Sequence, residues 1–143
     1  MILRDLLVQM LKRRASDLHL RVGIKPTLRI DGKLTPMEIE EVSKESMTEI
    51  LSQILSPEQL QRFSSRNEMD LALSVPELGR FRINLFRQRG TGGVAIRAVN
   101  TKVPDFAELC LPEKIRELAD ERRGLIIVTG TTGSGKSTTL AAM

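Results

Sequence analysis

Apolar residues recur along the chain with two alternating periods, and each change of period marks a new element. Ile2, Leu3, Leu6, Leu7, Met10 and Leu11 return at three- and four-residue steps, the spacing of one helical face. Lys12-Arg13-Arg14 then sit near the negative pole of that helix. The narrow stripe, without interfacial aromatics, suits a helix packed on its own domain better than one lying on a membrane. From Ser16 the period becomes two. Leu18, Leu20 and Val22 point one way and Asp17, His19 and Arg21 the other, as in a half-buried strand. After a turn over 23–26, Thr27-Leu28-Arg29-Ile30 returns as its hairpin partner, closed by Asp31-Gly32, a dipeptide suited to positive φ. Met47, Ile50, Leu51, Ile54 and Leu55 restore the helical spacing, with Ser43 or Ser46 available as the cap. Ser56-Pro57-Glu58-Gln59 opens another short helix, carrying Leu60 and Phe63: a capping serine, a proline at the first position and a glutamine three residues after the cap. Met69, Leu71, Leu73 and Val75 alternate, 76–79 turn, 80–88 alternate in return and 94–99 add a further strand. Helix, hairpin, two helices and a three-stranded meander together predict an α+β domain with an antiparallel sheet over residues 1–99.

Residues 100–106, with Pro104 among them, read as a linker, and a second domain is expected to begin at 107. Pro112 at a first helical position, followed by Ile115, Leu118 and Ala119, predicts one more helix. Leu125-Ile126-Ile127-Val128 is an unbroken apolar run, as expected of a strand buried on both faces of a parallel sheet.

Composition narrows the chemistry. With 143 residues, 41% hydrophobic and 28% charged, the chain has the make-up of a soluble globular protein. Four Phe, no Trp and no Tyr leave little on which nucleic-acid bases could stack, so no nucleic-acid partner is expected. One cysteine, Cys110, excludes an internal disulfide and a thiolate zinc site, and fits a reducing cytoplasmic compartment. No apolar run approaches the roughly 20 residues that cross a bilayer, so direct membrane insertion is not expected. His19 is the lone histidine, and on a polar strand face an isolated imidazole is more simply structural or solvated than catalytic. The acids Glu38, Glu40 and Glu41 read as solvated surface.

Directly after the apolar run comes Gly130-Thr131-Thr132-Gly133-Ser134-Gly135-Lys136-Ser137, a complete phosphate-binding (P-loop) pattern. Triphosphate oxygens must be ringed by backbone N–H groups, and Gly130, Gly133 and Gly135 lack the Cβ bulk that would keep the loop from wrapping them. Lys136, at the start of the ensuing helix, is placed to reach the β- and γ-phosphates of ATP, and the Ser137 hydroxyl to ligate Mg²⁺. No second strand with an acidic residue follows before Met143, so hydrolysis by these residues alone is not expected; they read as the front of a longer ATPase.

The charge has a location. The formal net charge is +4, yet residues 80–97 hold five arginines (Arg80, Arg82, Arg87, Arg89 and Arg97) and no acid, leaving the rest of the chain at −1. Arg80, Arg82, Asn84 and Phe86 share one strand face, and Arg97 follows on the next strand. This is either a solvated face or a surface that meets the triphosphate held by a neighbouring subunit, for which the planar guanidinium fork is suited.

Ala15-Ser16-Asp17-Leu18-His19-Leu20, Arg29-Ile30-Asp31-Gly32, Gly79-Arg80-Phe81-Arg82-Ile83-Asn84 and the P-loop continued by Thr138-Thr139 together resemble the type II/type IV secretion ATPase superfamily, and within it the pilus retraction (twitching motility) ATPases. The resemblance implies a PAS-like N-terminal domain over 1–99, a linker over 100–106 and the beginning of a RecA-like domain over 107–143. It also implies a homo-hexameric motor working from the cytoplasm against an inner-membrane platform protein. It implies nucleotide binding through Gly130, Thr131, Thr132, Gly133, Ser134, Gly135, Lys136, Ser137 and Thr138, and nucleotide contacts from Arg82 and Arg97, with Arg80 matching less closely. The start of the chain, a short helix leading directly into Ser16-Asp17, looks like a retraction motor, and Asn67-Glu68-Met69-Asp70 with Thr131 look like its accessory subgroup. A non-catalytic interaction or oligomerisation module, an assembly or secretion ATPase of the same superfamily, and an unrelated P-loop enzyme are the competing readings.

Overall fold

The structure is a computed structural model that describes residues 2–88, 90–99, 104–131 and 133–143, and of Gln88 the backbone only. The chain divides into two compact units, 1–99 and 100–143. Residues 100–103 of the expected linker, Arg89 and Thr132 lie outside the described residues.

The first unit places its elements in the order α1 (Leu3–Lys12), β1 (Asp17–Arg21), β2 (Thr27–Ile30), β3 (Lys33–Pro36), α2 (Lys44–Ile54), α3 (Pro57–Arg66), β4 (Glu68–Val75), β5 (Gly79–Gln88) and β6 (Thr91–Val99). Local chemistry accounts for most of the boundaries. Ser43 caps α2, its hydroxyl accepting from the Ser46 N–H at 3.0 Å. Ser56 and Gln59 form the reciprocal capping box of α3, with Pro57 in its first turn, and Asn67 ends that helix in the left-handed conformation at φ 58°. Asp31 and Gly32, at φ 48° and 80°, make the tight turn whose twist suits two antiparallel strands.

That turn leads into β3, a strand absent from the sequence-based expectation, so the sheet has six strands rather than five. Its order is β3-β2-β1-β6-β5-β4, antiparallel throughout. β3 is an edge strand of four exposed residues, with Lys33 at one end and Pro36 at the other, a composition that discourages further strand pairing.

One sheet face is buried and the other is not. Leu18, Leu20, Leu28, Phe81, Ile83, Leu85, Val94 and Ile96 pack with Leu7 and Met10 of α1, Met47 and Ile50 of α2 and Phe63 of α3 in a single core. Among the described residues of 2–99 the helices pack on that one face, and the opposite face carries alternate strand side chains.

The second unit has α4 (Glu113–Ala119), capped by Pro112 rather than beginning on it, and α5 (Lys136–Ala142). The strand expected over 125–128 does not form. A parallel strand draws its hydrogen bonds from neighbours distant in sequence, and no described residue pairs with this segment, leaving Leu125 and Ile127 at 83% and 72% exposure. Among the described residues no helix is long and apolar enough to cross a membrane.

Truncating Ile96→Ala, fully buried mid-sheet, is expected to cost about 3 kcal/mol in urea denaturation, against about 1 kcal/mol for Ser56→Ala, which removes one cap.

Candidate functional site

The P-loop folds on its own carbonyl. Gly130 adopts φ 150°, and Gly133 and Gly135 lie at φ 81° and 86°, conformations that side-chain-bearing residues rarely enter. At Gly130 there is a second reason for glycine, since a Cβ there would lie 2.7 Å from the Ser134 hydroxyl. The missing side chain thus leaves room for the Ser134 hydroxyl. The carbonyl of Thr131 accepts from the Ser134 N–H at 3.3 Å and from the Lys136 ammonium at 2.7 Å. Gly135 caps α5, and its own carbonyl takes the Thr139 N–H at 2.8 Å. Lys136 is half-buried, whereas Gly133, Ser134, Gly135, Ser137 and Thr138 are exposed.

Chemically, the loop presents an ammonium held by a neutral carbonyl rather than by a carboxylate. A phosphate oxygen makes a stronger, charge-assisted bond than a carbonyl does, so such a partner is readily exchanged for an anion. The Ser137 hydroxyl directly follows the lysine, and no group of acids, His or Cys among the described residues could hold a metal ion. A Mg²⁺ here would depend on phosphate oxygens for most of its ligands, the usual arrangement for that ion.

The arginines on the uncovered sheet face form a row across four strands. Register pairs Arg29 of β2 with Asp17 of β1, Asp17 with Arg97 of β6, and Arg97 with Arg82 of β5. Asp17 is 7% exposed and is the buried charge at the centre. Its Oδ1 accepts from Arg97 Nε at 2.8 Å, while Oδ2 accepts from the Ser16 hydroxyl at 2.8 Å and lies 3.3 Å from Arg29 Nε. Arg82 faces Arg97 directly, a like-charge pairing that destabilises unless offset, and Asp70 of β4 stands 3.6 Å from its Nε.

The expectation of an unneutralised arginine cluster is therefore corrected. Acids are absent between 80 and 97, but Asp17 and Asp70 arrive from neighbouring strands in space. Arg80, opposite Val99, lies on the same face. Arg87 points to the other side, over the Phe63 ring at 5.5 Å. Of the sequence-derived pair, Arg97 is anchored by a buried carboxylate and Arg82 is held loosely, both with side chains 68% exposed. A shallow trough of about 310 Å³ runs along this face, with Asp17, His19, Asp70, Arg82, Asn84 and Arg97 in its lining.

Burial pushes the Asp17 carboxyl upward, but hydrogen bonds from Arg97 and Ser16 and the Arg97 charge outweigh it, leaving the group below its usual 3.8. His19, one row along and expected to be structural or solvated, is partly buried. Its Nε2 is buried without a hydrogen-bond partner, and burial followed by the charge of Arg29 lowers it below 6.5, so the ring is neutral at neutral pH. Asp17 and Asp70 were the site residues sequence reasoning passed over; the alternation that puts Asp17 on the polar face of β1 was the available signal.

Both shifts make acid destabilising. The contribution of Asp17 is complete above 3.8 and is lost as pH falls through its lowered folded value, while that of neutral His19 declines as pH falls below 6.5. Asp17→Asn is expected to cost about 2 kcal/mol at pH 7, since Arg97 remains largely solvated, and the gap to the parent should close in denaturation series taken below the Asp17 pKa.

Residues 1–143 match the family described as Type II/IV secretion system protein. The type IV pilus ATPase PilU of Pseudomonas aeruginosa is 37% identical over 138 residues, covering 96% of this chain and 36% of PilU. The type IV pilus retraction ATPase PilT of the same organism is 38% identical over 139 residues, covering 97% of this chain and 40% of PilT. The crystal structure of the pilus retraction motor PilT with bound ADP superposes with a TM-score of 0.87 at 35% identity, covering all of this chain and 42% of that one. The chain thus spans about two-fifths of the length of these relatives. Its match from end to end, with the glycine loop and six-stranded sheet in one order, makes it a member of the type II/IV secretion system protein family.

Proposed function

We propose that the chain is the front portion of a hexameric, ATP-hydrolysing motor that powers type IV pilus retraction from the cytoplasmic side of the inner membrane, acting on a membrane platform protein. In this reading residues 1–99 are a PAS-like domain, 100–106 a linker and 107–143 the beginning of a RecA-like ATPase domain. The observation that carries it is the Lys136 ammonium, bonded at 2.7 Å to a neutral carbonyl of a loop whose glycines adopt conformations that side-chain-bearing residues rarely enter. The names borne by the relatives that cover 96% and 97% of the chain, both pilus ATPases, supply the process.

On ATP binding, Lys136 would leave the Thr131 carbonyl for the β- and γ-phosphates, with the N–H groups of 130–135 around them and Thr138 beside. Ser137 would give Mg²⁺ its one protein hydroxyl, and the ion would offset phosphate charge. Arg82, loosely paired with Asp70, is the arginine free to turn toward the triphosphate of a neighbouring subunit, with Arg97 held beside it by Asp17. Residues 1–143 correspond to 36% and 40% of the two pilus ATPases, and in this reading they bind nucleotide without turning it over by themselves.

The test uses the protein extended through the rest of the ATPase domain. Lys136→Ala and Gly130→Ala should each abolish ATP binding in a fluorescent-nucleotide titration. Arg82→Ala should leave binding near normal and lower kcat by on the order of 10³, the lower range for an arginine supplied in trans. Turnover retained in Arg82→Ala and Arg97→Ala hexamers refutes the arginine assignment, and turnover by residues 1–143 alone refutes their reading as an incomplete enzyme.

A further inference from the structure

Met37 and Val42 are buried at 3% and 0% exposure and pinned by backbone bonds, the Met37 N–H to the Pro26 carbonyl and the Val42 N–H to that of Ile24. The four residues between them, Glu38-Ile39-Glu40-Glu41, therefore arch outward with both ends fixed. The arch faces the solvent edge of α1, and the two wall a trough of about 620 Å³, twice the volume of the one along the arginine row. Apolar side chains lie open in it: Ile2 is 58% exposed and Ile39 37%, beside the buried Leu6 and Met37. Its rim carries Asp5, Glu38, Glu40 and Glu41 against one cation, Arg13.

Three features separate this trough from a solvated acidic surface. Four acids gather here against a single cation, while the positive excess of the chain lies in residues 80–97. Only Glu38 has an ion-pair partner among the described residues, Lys25 at 3.8 Å, and the carboxylates of Asp5, Glu40 and Glu41 have none. The acids do not converge: no group of three could hold a metal ion, so they are spaced for a series of cations rather than for one. An acidic rim repels lipid phosphates and nucleic acid alike, while exposed isoleucines between carboxylates match a ligand that alternates apolar and basic groups.

We propose that the trough between α1 and the 38–41 arch is a docking site for a basic, amphipathic segment of a partner protein, its apolar side chains on Ile2 and Ile39 and its Lys or Arg side chains on Asp5, Glu38, Glu40 and Glu41. The site shares no lining residue with the trough along the arginine row.

The probe is a fluorescein-labelled helical peptide of about 14 residues, roughly 20 Å long, with leucines on one face and lysines and arginines on the other. A control peptide carries glutamates in place of every cation. With residues 1–143 at about 20 mM salt, anisotropy should report binding of the basic peptide only, weakening steeply as salt rises. Amide shift changes should centre on Asp5, Gln9, Ile39 and Ser46. The triple variant Glu38→Gln, Glu40→Gln, Glu41→Gln should raise Kd at least about tenfold, and Ile39→Ser should raise it with less salt dependence. Glu58→Gln with Glu121→Gln, acids outside the trough, should leave Kd unchanged. All of these positions are exposed, and unchanged melting curves would establish that the variants fold. The proposal is overturned by any of four results: equal binding of both peptides, shift changes elsewhere, a Kd that moves less than about threefold in the triple variant, or self-association lost in that variant, which would make the occupant a second copy.

Discussion

The ladder between β1 and β6 holds the first unit together, because it joins segments 80 residues apart. Each flanking group, β3-β2-β1 and β6-β5-β4, is a local arrangement of hairpins that needs little loop closure to form. Their union orders a long intervening stretch, and the entropy of closing it must be met by what is buried at the seam. On the helix side the seam buries Leu18, Leu20, Val94 and Ile96, all at 1% exposure or less. On the other side it seats Asp17 against Arg97, in register and hydrogen-bonded. One pairing therefore closes the core and fixes the charged row.

That dual role explains why a buried carboxylate is tolerated in the middle of a sheet. A buried charge is costly unless its lone pairs are met, and Asp17 is met by two guanidinium groups and a hydroxyl. Removing it would leave Arg29, Arg97 and Arg82 adjacent across three strand pairings with only Asp70 nearby. The row is thus graded rather than uniform: Arg97 is bound to the protein's own acid, Arg82 is only loosely so, and the group with the weakest internal claim is the best able to meet an outside anion.

What was legible in the sequence follows the range of the interactions involved. The α3 capping box, the Ser43 cap and the Asp31-Gly32 turn depend on residues within four positions of one another, and the structure forms each of them where the residue types indicated. The strand after Asp31-Gly32 was missed because Lys33-Leu34-Thr35-Pro36 has little apolar pattern, although an Asp-Gly turn after one strand is itself a signal for a second. The partners of Arg97 and Arg82 could not be read from the 80–97 window, since Asp17 and Asp70 meet them only through register. The apolar run over 125–128 misled in the other direction: it states a preference for burial among parallel neighbours, and no described residue provides them.

The two parts of the proposed nucleotide chemistry therefore rest on different kinds of order. None of the described residues of 104–143 is buried, and α5 has seven residues, too few for a helix to persist on propensity alone. The loop's shape comes instead from three glycines in conformations other residues avoid and from one carbonyl that gathers two donors. Such a geometry is written into residues close together in the sequence. The arginine row has no local code of that kind, and its spacing exists only while β1 and β6 are paired. A substitution that loosens the seam would displace the arginines, so in the proposed function loss of stability in this sheet would reach activity through phosphate charge stabilisation.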